Sequence, residues 1–443
     1  MKTTLNNGKQ DEVGAILQRL RPYDQAEVLR RLEPVYQLRV VKVIPTALAA
    51  DIFQELEREE QLQLLVAIGA DKAATILNEM SADDAADLLA ELDHSQQREL
   101  LSLLQHEEAD ELRSLLAYPE QSAGGIMTTE FVSLAANNTV QEVFEQLRRV
   151  SRKAETIYYL YVVDEHERLV GVLSIRDLIM AEPDTRVVTI MIRDLVAAKV
   201  NDDQEDVARM IEQYDLLAIP VVDQARTLVG IVTVDDIIDV ITDEATEDIA
   251  RLNAISGPVS AVDDLRVGAF AAARKRLPWL VLLLFIGIIS GNIISSFEET
   301  LEAVVILAVF IPMIADMAGN TGTQSLALVV RGLALGEFKT DDIMRLLRRE
   351  FGVGLILGTV NGVAIAVIAT VWQRSAALGF VIGFSLWLTL IVATLVGAIV
   401  PIILNRFRVD PAVASGPFIT TINDIVGLTI YFSIATALIV YLI

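Results

Sequence analysis

The chain has 443 residues, a net charge of −24, three histidines and no cysteine. The length predicts two or more domains, and the charge argues against binding to nucleic acid or to an anionic lipid surface. The shortage of histidine and cysteine argues against zinc or copper sites, whereas abundant carboxylates suit Mg²⁺, Ca²⁺ or Mn²⁺. Nearly all the excess charge lies in residues 1–277, which hold 50 acidic and 28 basic residues.

The first part of the chain, residues 1–122, is predicted to be helical. It begins with MKTTLNNGKQDEV, which lacks the apolar core of a signal peptide, so we expect the N-terminus to stay in the cytosol. The stretches AEVLRRL (26–32), ADIFQEL (50–56) and ATILNEM (74–80) then recur every 24 residues, and ADLLAEL (86–92) follows half a period later. Apolar residues three and four apart predict amphipathic helices that need neighbours, hence an α-helical superhelix.

The next part contains two similar units, residues 123–186 and 187–245. The stretch YVVDEHERLVGVLSIRDLIM (161–180) matches PVVDQARTLVGIVTVDDIID (220–239). Each unit reads as a strand, a helix, two strands joined by a turn, and a helix. These units resemble a pair of α/β cystathionine-β-synthase (CBS) domains.

In the CBS family, the pattern Gly, x, apolar, Ser/Thr, x, x, Asp marks a ribose contact to adenine nucleotides. The pattern is met twice here, by Gly171, Ser174 and Asp177, and by Gly230, Thr233 and Asp236. The resemblance therefore implies ATP or another adenine nucleotide as a ligand of the CBS pair. A hydroxyl and a carboxylate three residues apart also suit a helix N-cap, which explains the spacing without a ligand.

Residues 246–277 are predicted to form a helix that connects the CBS pair to the membrane. Acidic residues crowd its approach, and basic residues end it: Asp235, Asp236, Asp239, Asp243, Glu244, Glu247 and Asp248, then Arg274, Lys275 and Arg276. Like charges this close destabilise a helix by about a few tenths of a kcal/mol per pair. A cation bound between neighbouring domains would remove that penalty.

Residues 278–443 carry long apolar stretches, and about 20 apolar residues are needed to cross a bilayer. Five spans are predicted, at 279–297, 301–330, 351–372, 380–404 and 412–443. The basic residues between them fall on alternate sides. By the positive-inside rule we expect the N-terminus inside and Ile443 outside.

Two of the predicted spans contain polar residues. The second includes IPMIADMAGNTGTQS (311–325), and the fifth includes ASGPFITTINDIVG (414–427). Glycine and proline there are expected to interrupt the helices and free carbonyls that face a cation or its water. A carboxylate in lipid is costly, so Asp316 and Asp424 should face protein or water and mark a functional site, although such groups also bond helices together.

The sequence contains neither a Walker A motif nor a DKTGT phosphorylation motif, so ATP hydrolysis is not expected to drive transport. A divalent ion entering at about −100 mV gains roughly 4.6 kcal/mol from the membrane potential. A passive pore would therefore suffice, and it would need a gate.

The order of superhelix, CBS pair, acidic connecting helix and five spans with AGNTGTQS and SGPFITTIND resembles the MgtE family of magnesium transporters over essentially the whole chain. The resemblance implies a mainly α membrane protein that forms a homodimer in the inner membrane, with a pore lined by the second and fifth spans. It also implies that the connecting helix plugs the pore when Mg²⁺ binds the cytosolic domains.

The same resemblance, carried over residue by residue, assigns roles to particular side chains. Asp424 would be the selectivity carboxylate, acting on hydrated Mg²⁺ through its waters, with Gly427 one turn on. The predicted ion pathway comprises Asp424, Gly427, Asp316, Asn320, Thr420 and Thr421. The predicted Mg²⁺ sensor comprises Asp236, Asp239, Glu247, Asp248, Glu205 and Asp215, with Asp83 or Asp84 as the N-terminal partner.

Two other functions fit parts of the sequence. A transporter of another hard cation, such as Mn²⁺, Ca²⁺ or Co²⁺, would use the same ligands. An intramembrane aspartyl protease could use Asp316 and Asp424 as a dyad, but the sequence has no GxGD motif and the acidic half would be unexplained. We therefore expect a transporter and not an enzyme.

Overall fold

A computed structural model describes residues 10–150, 154–255, 268–334, 338, 342–407 and 409–442. Contacts divide the chain into two compact units, Met1–Ile241 and Thr242–Ile443. Each unit is described by itself below.

The first half of unit 1 consists of short helices, as the repeat predicts. They are α1 (Gln10–Leu17), α2 (Pro22–Arg30), α3 (Pro34–Val43), α4 (Thr46–Gln54), α5 (Arg58–Ile68), α6 (Ala70–Leu77), α7 (Ala82–Ala90), α8 (His94–Leu103) and α9 (His106–Leu115). Most pack against the helix two positions further along, for example α2 on α4 and α7 on α9. This stacking buries one continuous core, so the helical N-terminal region is confirmed.

The second half of unit 1 contains both CBS-like repeats. The elements are β1 (Ser133–Ala135), α10 (Val140–Val150), β2 (Tyr159–Val163), β3 (Leu169–Ser174), α11 (Ile175–Met180), α12 (Val187–Ile190), β4 (Ala198–Lys199), α13 (Gln204–Gln213), β5 (Ala218–Val222), β6 (Leu228–Thr233) and α14 (Val234–Leu252). Each repeat forms a three-stranded sheet in which a parallel pair is extended by an antiparallel strand. The predicted order of strands and helices is confirmed in both repeats.

The two motif glycines of the CBS repeats have a packing role. A Cβ on Gly171 would lie 2.4 Å from the sulfur of Met191, and one on Gly230 would lie 2.6 Å from the sulfur of Met127. Each methionine thus lies against the backbone of a strand that only glycine leaves open. The glycine of the motif is therefore explained by the fold, without a nucleotide.

The connection towards the membrane helices starts within a longer helix than predicted. Helix α14 runs from Val234 to Leu252, so the expected domain boundary at residue 245 falls inside it. The chain is helical again from Ala269, but 256–267 lie outside the described residues. The single connecting helix over 246–277 therefore stays a prediction.

Unit 2 is almost entirely helical. Its elements are α15 (Ala269–Ser296), α16 (Glu298–Ala303), α17 (Leu307–Ala334), α18 (Asp342–Gln373), α19 (Ala376–Arg406), a 3₁₀ turn (Pro411–Val413), α20 (Gly416–Ala437) and a second turn (Ile439–Tyr441). Among the described residues, α15, α18, α19 and α20 are long and apolar enough to cross a membrane. Helix α17 has 28 residues but a polar middle, so four of the five predicted spans meet both criteria.

The expected interruption by glycine and proline is wrong for the second predicted span, α17. Helix α17 is continuous through Pro312 and the glycines, and α20 begins at Gly416 with Pro417 in its first turn, where a missing N–H costs nothing. The hydroxyl of Thr323 donates to the carbonyl of Gly319 at 2.9 Å, a local bond that satisfies this polar side chain inside the helix. The glycines and Pro312 therefore do not open an unwound stretch of backbone in α17.

Candidate functional site

The polar residues of the two unusual membrane helices face one another. A Cβ on Gly319 of α17 would lie 2.6 Å from Cγ2 of Thr420 on α20, and one on Gly322 would lie 1.8 Å from Nδ2 of Asn423. The two helices therefore approach through glycines, as small residues allow in membranes. The hydroxyls of Thr323 and Thr420 lie 3.3 Å apart in the same contact.

Asp424 lies at this contact with an incomplete set of partners. Its side chain is half-buried, and its Oδ1 is buried without a hydrogen-bond partner among the described residues. Asp316 on α17 is exposed and close enough for its charge to repel that of Asp424. Two carboxylates close enough to repel one another in neighbouring membrane helices favour a cation beside them.

The residue before Asp424 is buried as an amide. Asn423 is 1% exposed, and its Nδ2 donates to the carbonyl of Ala318 at 3.4 Å. Its Oδ1 has no hydrogen-bond partner in the described part of the chain. This amide was missed as a site residue, although its place beside Asp424 in the TTIND segment was a usable signal.

The other predicted pathway residues divide into two kinds. Thr421 donates its hydroxyl to the carbonyl of Pro417 at 2.8 Å, which satisfies it within its own helix. Gly427 is buried where a Cβ would lie 3.0 Å from Cγ2 of Thr389, so it admits α19. Asn320, in contrast, is exposed and lines a cavity.

This cavity lies between α17 and α18 and has a volume of about 560 Å³. It is lined by Met317, Asn320, Thr321, Thr323, Gln324, Ala327, Leu357 and Asn361. Amide and hydroxyl groups dominate its polar wall, and such groups hydrogen-bond well to the waters of a hydrated ion. Asn361 was not predicted, although a lone asparagine in an apolar span was visible in the sequence.

In unit 1, the predicted sensor residues Asp83, Asp84 and Asp236 come together with Glu155 and Asp235, and we call these five residues the interdomain acid cluster. Asp83 and Asp84 belong to the first turn of α7, and Asp235 and Asp236 to the first turn of α14. The cluster therefore lies where the helical region meets the CBS region.

Burial and mutual repulsion weaken the charged state of this cluster. Burial, followed by the charges of Asp84 and Asp236, raises the pKa of Asp83 well above its ordinary value. Burial, opposed by a hydrogen bond from Thr233 and reinforced by Asp235 and Asp84, raises the pKa of Asp236 to about 6. An added cation would relieve both effects.

The two N-terminal candidates differ in their bonding. Asp84 Oδ2 accepts from Ser81 at 2.7 Å and from Gln54 at 2.8 Å. Asp83 Oδ1 is buried with no hydrogen-bond partner among the described residues. Asp83 is therefore the carboxylate with an open coordination position.

A second group of acidic residues lies in unit 2, where the end of α14 meets the turn before α20; we call Glu247, Asp248, Arg251 and Asp410 the helix junction. Arg251 pairs with both Glu247 and Asp410. Burial, and then repulsion by Asp410 and Glu244, raises the pKa of Asp248 to about 6. Asp410 was missed because no local pattern relates it to residues about 160 positions earlier.

The helix junction also lies close to the start of α20. Leu252 packs in an apolar cluster with Leu326 of α17 and Ile419 of α20. Its carbonyl oxygen is 3.4 Å from the position of a Cβ on Gly416. The end of the acidic helix therefore touches both helices that carry the polar membrane residues.

The remaining predicted sensor residues are not gathered into one site. Glu205 and Asp215 lie near opposite ends of α13, about 15 Å apart at 1.5 Å per residue, so they cannot share an ion within one subunit. Asp239 is exposed on α14. Within the described residues, no group of three or more His, Asp or Glu side chains forms a ready metal cage, which fits an ion such as Mg²⁺ that keeps most of its waters.

The two nucleotide motifs of the CBS pair have different surroundings. Ser174 donates to Asp177 at 2.6 Å, caps α11 by accepting from the N–H of Asp177, and is close to solvent. The helix-cap explanation therefore holds for this motif. Thr233 is 3% exposed and bonds Asp236, which belongs to the interdomain acid cluster.

Three family models match the chain. The model described as a divalent cation transporter matches residues 311–434, the MgtE intracellular N domain matches 20–121, and the CBS domain matches 123–184 and 187–243. The matched regions together cover most of the two units.

Curated proteins and solved structures give the same result. The magnesium transporter MgtE of Bacillus subtilis is 47% identical over 98% of this chain and 96% of its own, and that of Thermus thermophilus is 45% identical over 72% and 71%. A crystal structure of the soluble part of a magnesium transporter covers 55% of this chain and 96% of its own at 44% identity, with a TM-score of 0.53. A crystal structure of the cytosolic domain of the Mg²⁺ channel MgtE in complex with ATP covers 54% and 98% at 41% identity, with a TM-score of 0.52.

Proposed function

This chain belongs to the MgtE family of magnesium transporters, and from that premise we propose that it is a Mg²⁺-selective channel that Mg²⁺ itself closes. The observation that carries the proposal is Asp424, whose half-buried carboxylate keeps an unpartnered oxygen at the contact of two glycine-packed membrane helices. The expectation of a non-enzymatic protein is confirmed by the relatives, which are named as transporters.

In the proposed pore, α17 also crosses the membrane, in addition to α15, α18, α19 and α20. Asp316, Asn320 and Gln324 are four residues apart and exposed along one face of this helix. Such a polar stripe cannot face lipid at low cost, so it needs water or protein beside it. A second copy of the chain, placed with its own α17 across a shared axis, would supply both in a homodimer.

The proposed orientation follows from the basic residues. Arg274, Lys275 and Arg276 precede the first span, and Arg345, Arg348 and Arg349 begin the third. The positive-inside rule puts these groups in the cytosol of an inner membrane, together with the whole of unit 1. Residues near the end of α20 then lie outside.

Uptake through this pore needs no chemical fuel. A divalent cation gains about 4.6 kcal/mol on entering a cell at roughly −100 mV. Asp424 and the amides of Asn320 and Asn423 would contact the hydration shell, since Mg²⁺ releases its waters reluctantly. A pathway wide enough for a hydrated ion agrees with the cavity of about 560 Å³ beside α17.

The proposed gate lies in the acidic residues. When Mg²⁺ is scarce, repulsion within the interdomain acid cluster separates the helical region from the CBS region, and α14 with its connecting segment releases the pore. When Mg²⁺ is plentiful, it binds the cluster and the helix junction and favours the closed state. Moving such an equilibrium from 1:99 to 99:1 needs about 5.5 kcal/mol, which several weak sites acting together would supply.

ATP is the proposed nucleotide ligand of the first CBS repeat. The motif of Ser174 and Asp177 lies near solvent, and a relative's cytosolic domain has been crystallised in complex with ATP. The second motif is a poorer candidate because Asp236 belongs to the interdomain acid cluster.

Flux into proteoliposomes tests this function. The purified protein is expected to carry Mg²⁺ down its gradient without ATP. Mn²⁺, Ca²⁺ or Co²⁺ added outside is expected to reduce this Mg²⁺ uptake only weakly. Liposomes without protein are the control. A requirement for ATP would contradict the channel mechanism, and preference for one of the competitors would favour a transporter of that cation.

A further inference from the structure

A buried carboxylate lies in the membrane unit away from Asp424. Glu350, on α18, is 1% exposed although it directly follows the exposed Arg349. A buried carboxylate is costly unless it is hydrogen-bonded or paired. The hydrogen-bond partners of Glu350 therefore indicate the role of this residue.

The good hydrogen bond of Glu350 goes to the polar helix α17. Ser325 Oγ donates to Glu350 Oε2 at 2.8 Å, and Ser325 is itself 3% exposed. The other oxygen, Oε1, has no hydrogen bond among the described residues, and Arg349 Nη2 lies 3.5 Å from it. Glu350 is thus a buried carboxyl group whose hydrogen-bond partner is a single serine of α17.

Ser325 is also held from its other side. A Cβ on Gly397 of α19 would lie 3.0 Å from Cβ of Ser325 and 2.3 Å from the carbonyl oxygen of Gly322. Ser325 therefore lies between the carboxylate of α18 and the bare backbone of α19. Neither rotation nor sliding of α17 at this point is possible without breaking one of these contacts.

The seam between α17 and α18 changes character along its length. Glu350, Leu357 and Asn361 are seven and eleven residues apart, a spacing that keeps them on one face of α18. At Glu350 the seam is closed by the bond to Ser325, whereas at Leu357 and Asn361 it opens into the cavity lined by Asn320 and Gln324. The amides of Asn320 and Gln324 on α17 face this cavity. Their position therefore depends on the contact between Ser325 and Glu350.

We propose that Glu350 is a positioning residue that fixes the rotation and height of α17 through Ser325 and thereby sets how the channel discriminates among hydrated divalent cations. The inference rests on the proposed function. Gln324 lies one residue and Asn320 five residues from Ser325 on the same helix, so a small rotation at Ser325 displaces both amides by a similar amount.

The test measures the ratio of Mn²⁺ to Mg²⁺ uptake in proteoliposomes at equal protein content. Glu350→Ala and Ser325→Ala each remove the bond, and each is expected to change this ratio by about three- to tenfold in the same direction. The double variant is expected to match the single variants, because both lose the same contact. Glu350→Gln keeps an acceptor for Ser325 and should restore a ratio near that of the wild type.

Glu299→Ala, at an exposed position of the same unit, is the matched control and should leave the ratio unchanged. If Glu350→Ala does not fold, Ser325→Ala decides alone, since it removes one hydroxyl. An unchanged ratio in folded Ser325→Ala, or additive effects in the double variant, would overturn the inference. Absence of Mg²⁺ uptake by the wild type would instead contradict the proposed function.

Discussion

The interdomain acid cluster and the membrane contact around Asp424 both bring carboxylates close together, but the surrounding structure differs. Asp424 is fixed by helices that touch through Gly319, Gly322 and Gly427, so its charge cannot move away from Asp316. Four of the five members of the cluster belong to the separate helices α7 and α14, which carry different parts of unit 1, and Glu155 precedes β2. We therefore expect an ion to relieve the repulsion in the membrane, whereas in unit 1 the proposed gate also relieves it by separating the two regions.

The contact between α17 and α20 around Asp424 can be disrupted by adding one methyl group. Gly322→Ala would place a Cβ 1.8 Å from Nδ2 of Asn423, so we expect α17 and α20 to separate and Mg²⁺ uptake to fall by more than about tenfold. Gly352→Ala, in α18, is the matched control, because no atom lies within 4 Å of a Cβ placed on Gly352. Uptake assays at equal membrane expression compare the two, and equal uptake would show that the helix contact does not shape the pore.

The proposed Mg²⁺ sensor can be disrupted by removing its negative charges. Neutralising Asp236, Asp239, Glu247 and Asp248 to the corresponding amides should leave the channel open at high Mg²⁺, because the ion then loses its sites. We expect the Mg²⁺ concentration that halves uptake to rise by about tenfold or more, as for a loss of about 1.4 kcal/mol of coupling.

Changing Glu165, Glu167, Glu182 and Glu212 to Gln together, at exposed positions of the CBS region, is the control for the change in net charge. It should leave the concentration for half-closure unchanged. Normal closure in the fourfold variant would contradict the assignment of the sensor.

Protonation at low pH should stabilise the interdomain acid cluster in the same way as bound Mg²⁺. The pKa of Asp236 is raised from 3.8 to about 6, mainly by burial, and that of Asp83 is raised as well. The assembled cluster therefore binds more protons than the separated one between about pH 4 and 6, and its stability rises as the pH falls through this window.

Thermal unfolding of the purified protein without Mg²⁺ measures this effect. We expect a higher unfolding temperature of the cytosolic region at pH 5.5 than at pH 7.5, and a smaller increase on adding Mg²⁺ at pH 5.5. Asp236→Asn should flatten the pH dependence. A larger Mg²⁺ effect at pH 5.5 would argue against carboxylates as the ligands.

The smallest expected effect distinguishes the two CBS motifs. Asp177→Ala should weaken ATP binding by about tenfold, because it removes a polar contact to the ribose. Asp236→Ala should leave ATP affinity unchanged, since Asp236 belongs to the acid cluster. Calorimetric titration of the purified protein with ATP compares them, and a reversed order would assign the nucleotide to the second motif.

Much of the fold follows from patterns that recur within the sequence. The 24-residue repeat predicts the helices of the N-terminal region, and the matching stretches at 161–180 and 220–239 predict both CBS sheets. Such patterns reflect local periodicity, which short segments of chain carry by themselves. The helix starts at Pro22 and Pro34 illustrate this, since proline fits the first turn of a helix.

The parts that could not be predicted depend on contacts between distant residues. Arg251 pairs with Asp410, and Ser325 bonds Glu350, with no local motif at either partner. The expected break in α17 failed for a related reason, because Thr323 bonds the carbonyl of Gly319 and the neighbouring helix fills the space beside the glycines. The roles of the polar residues stay predictions, but the predicted interruption of the α17 backbone was wrong.

The most direct test compares Mg²⁺ uptake by the wild type and Asp424→Ala in a strain that depends on added Mg²⁺, at matched membrane expression. If the fixed carboxylate lies on the ion path, the wild type should restore uptake and the variant should fall to the level of cells without the protein. Equal uptake by both would contradict this account, because Asp424 would then serve only to hold α17 and α20 together.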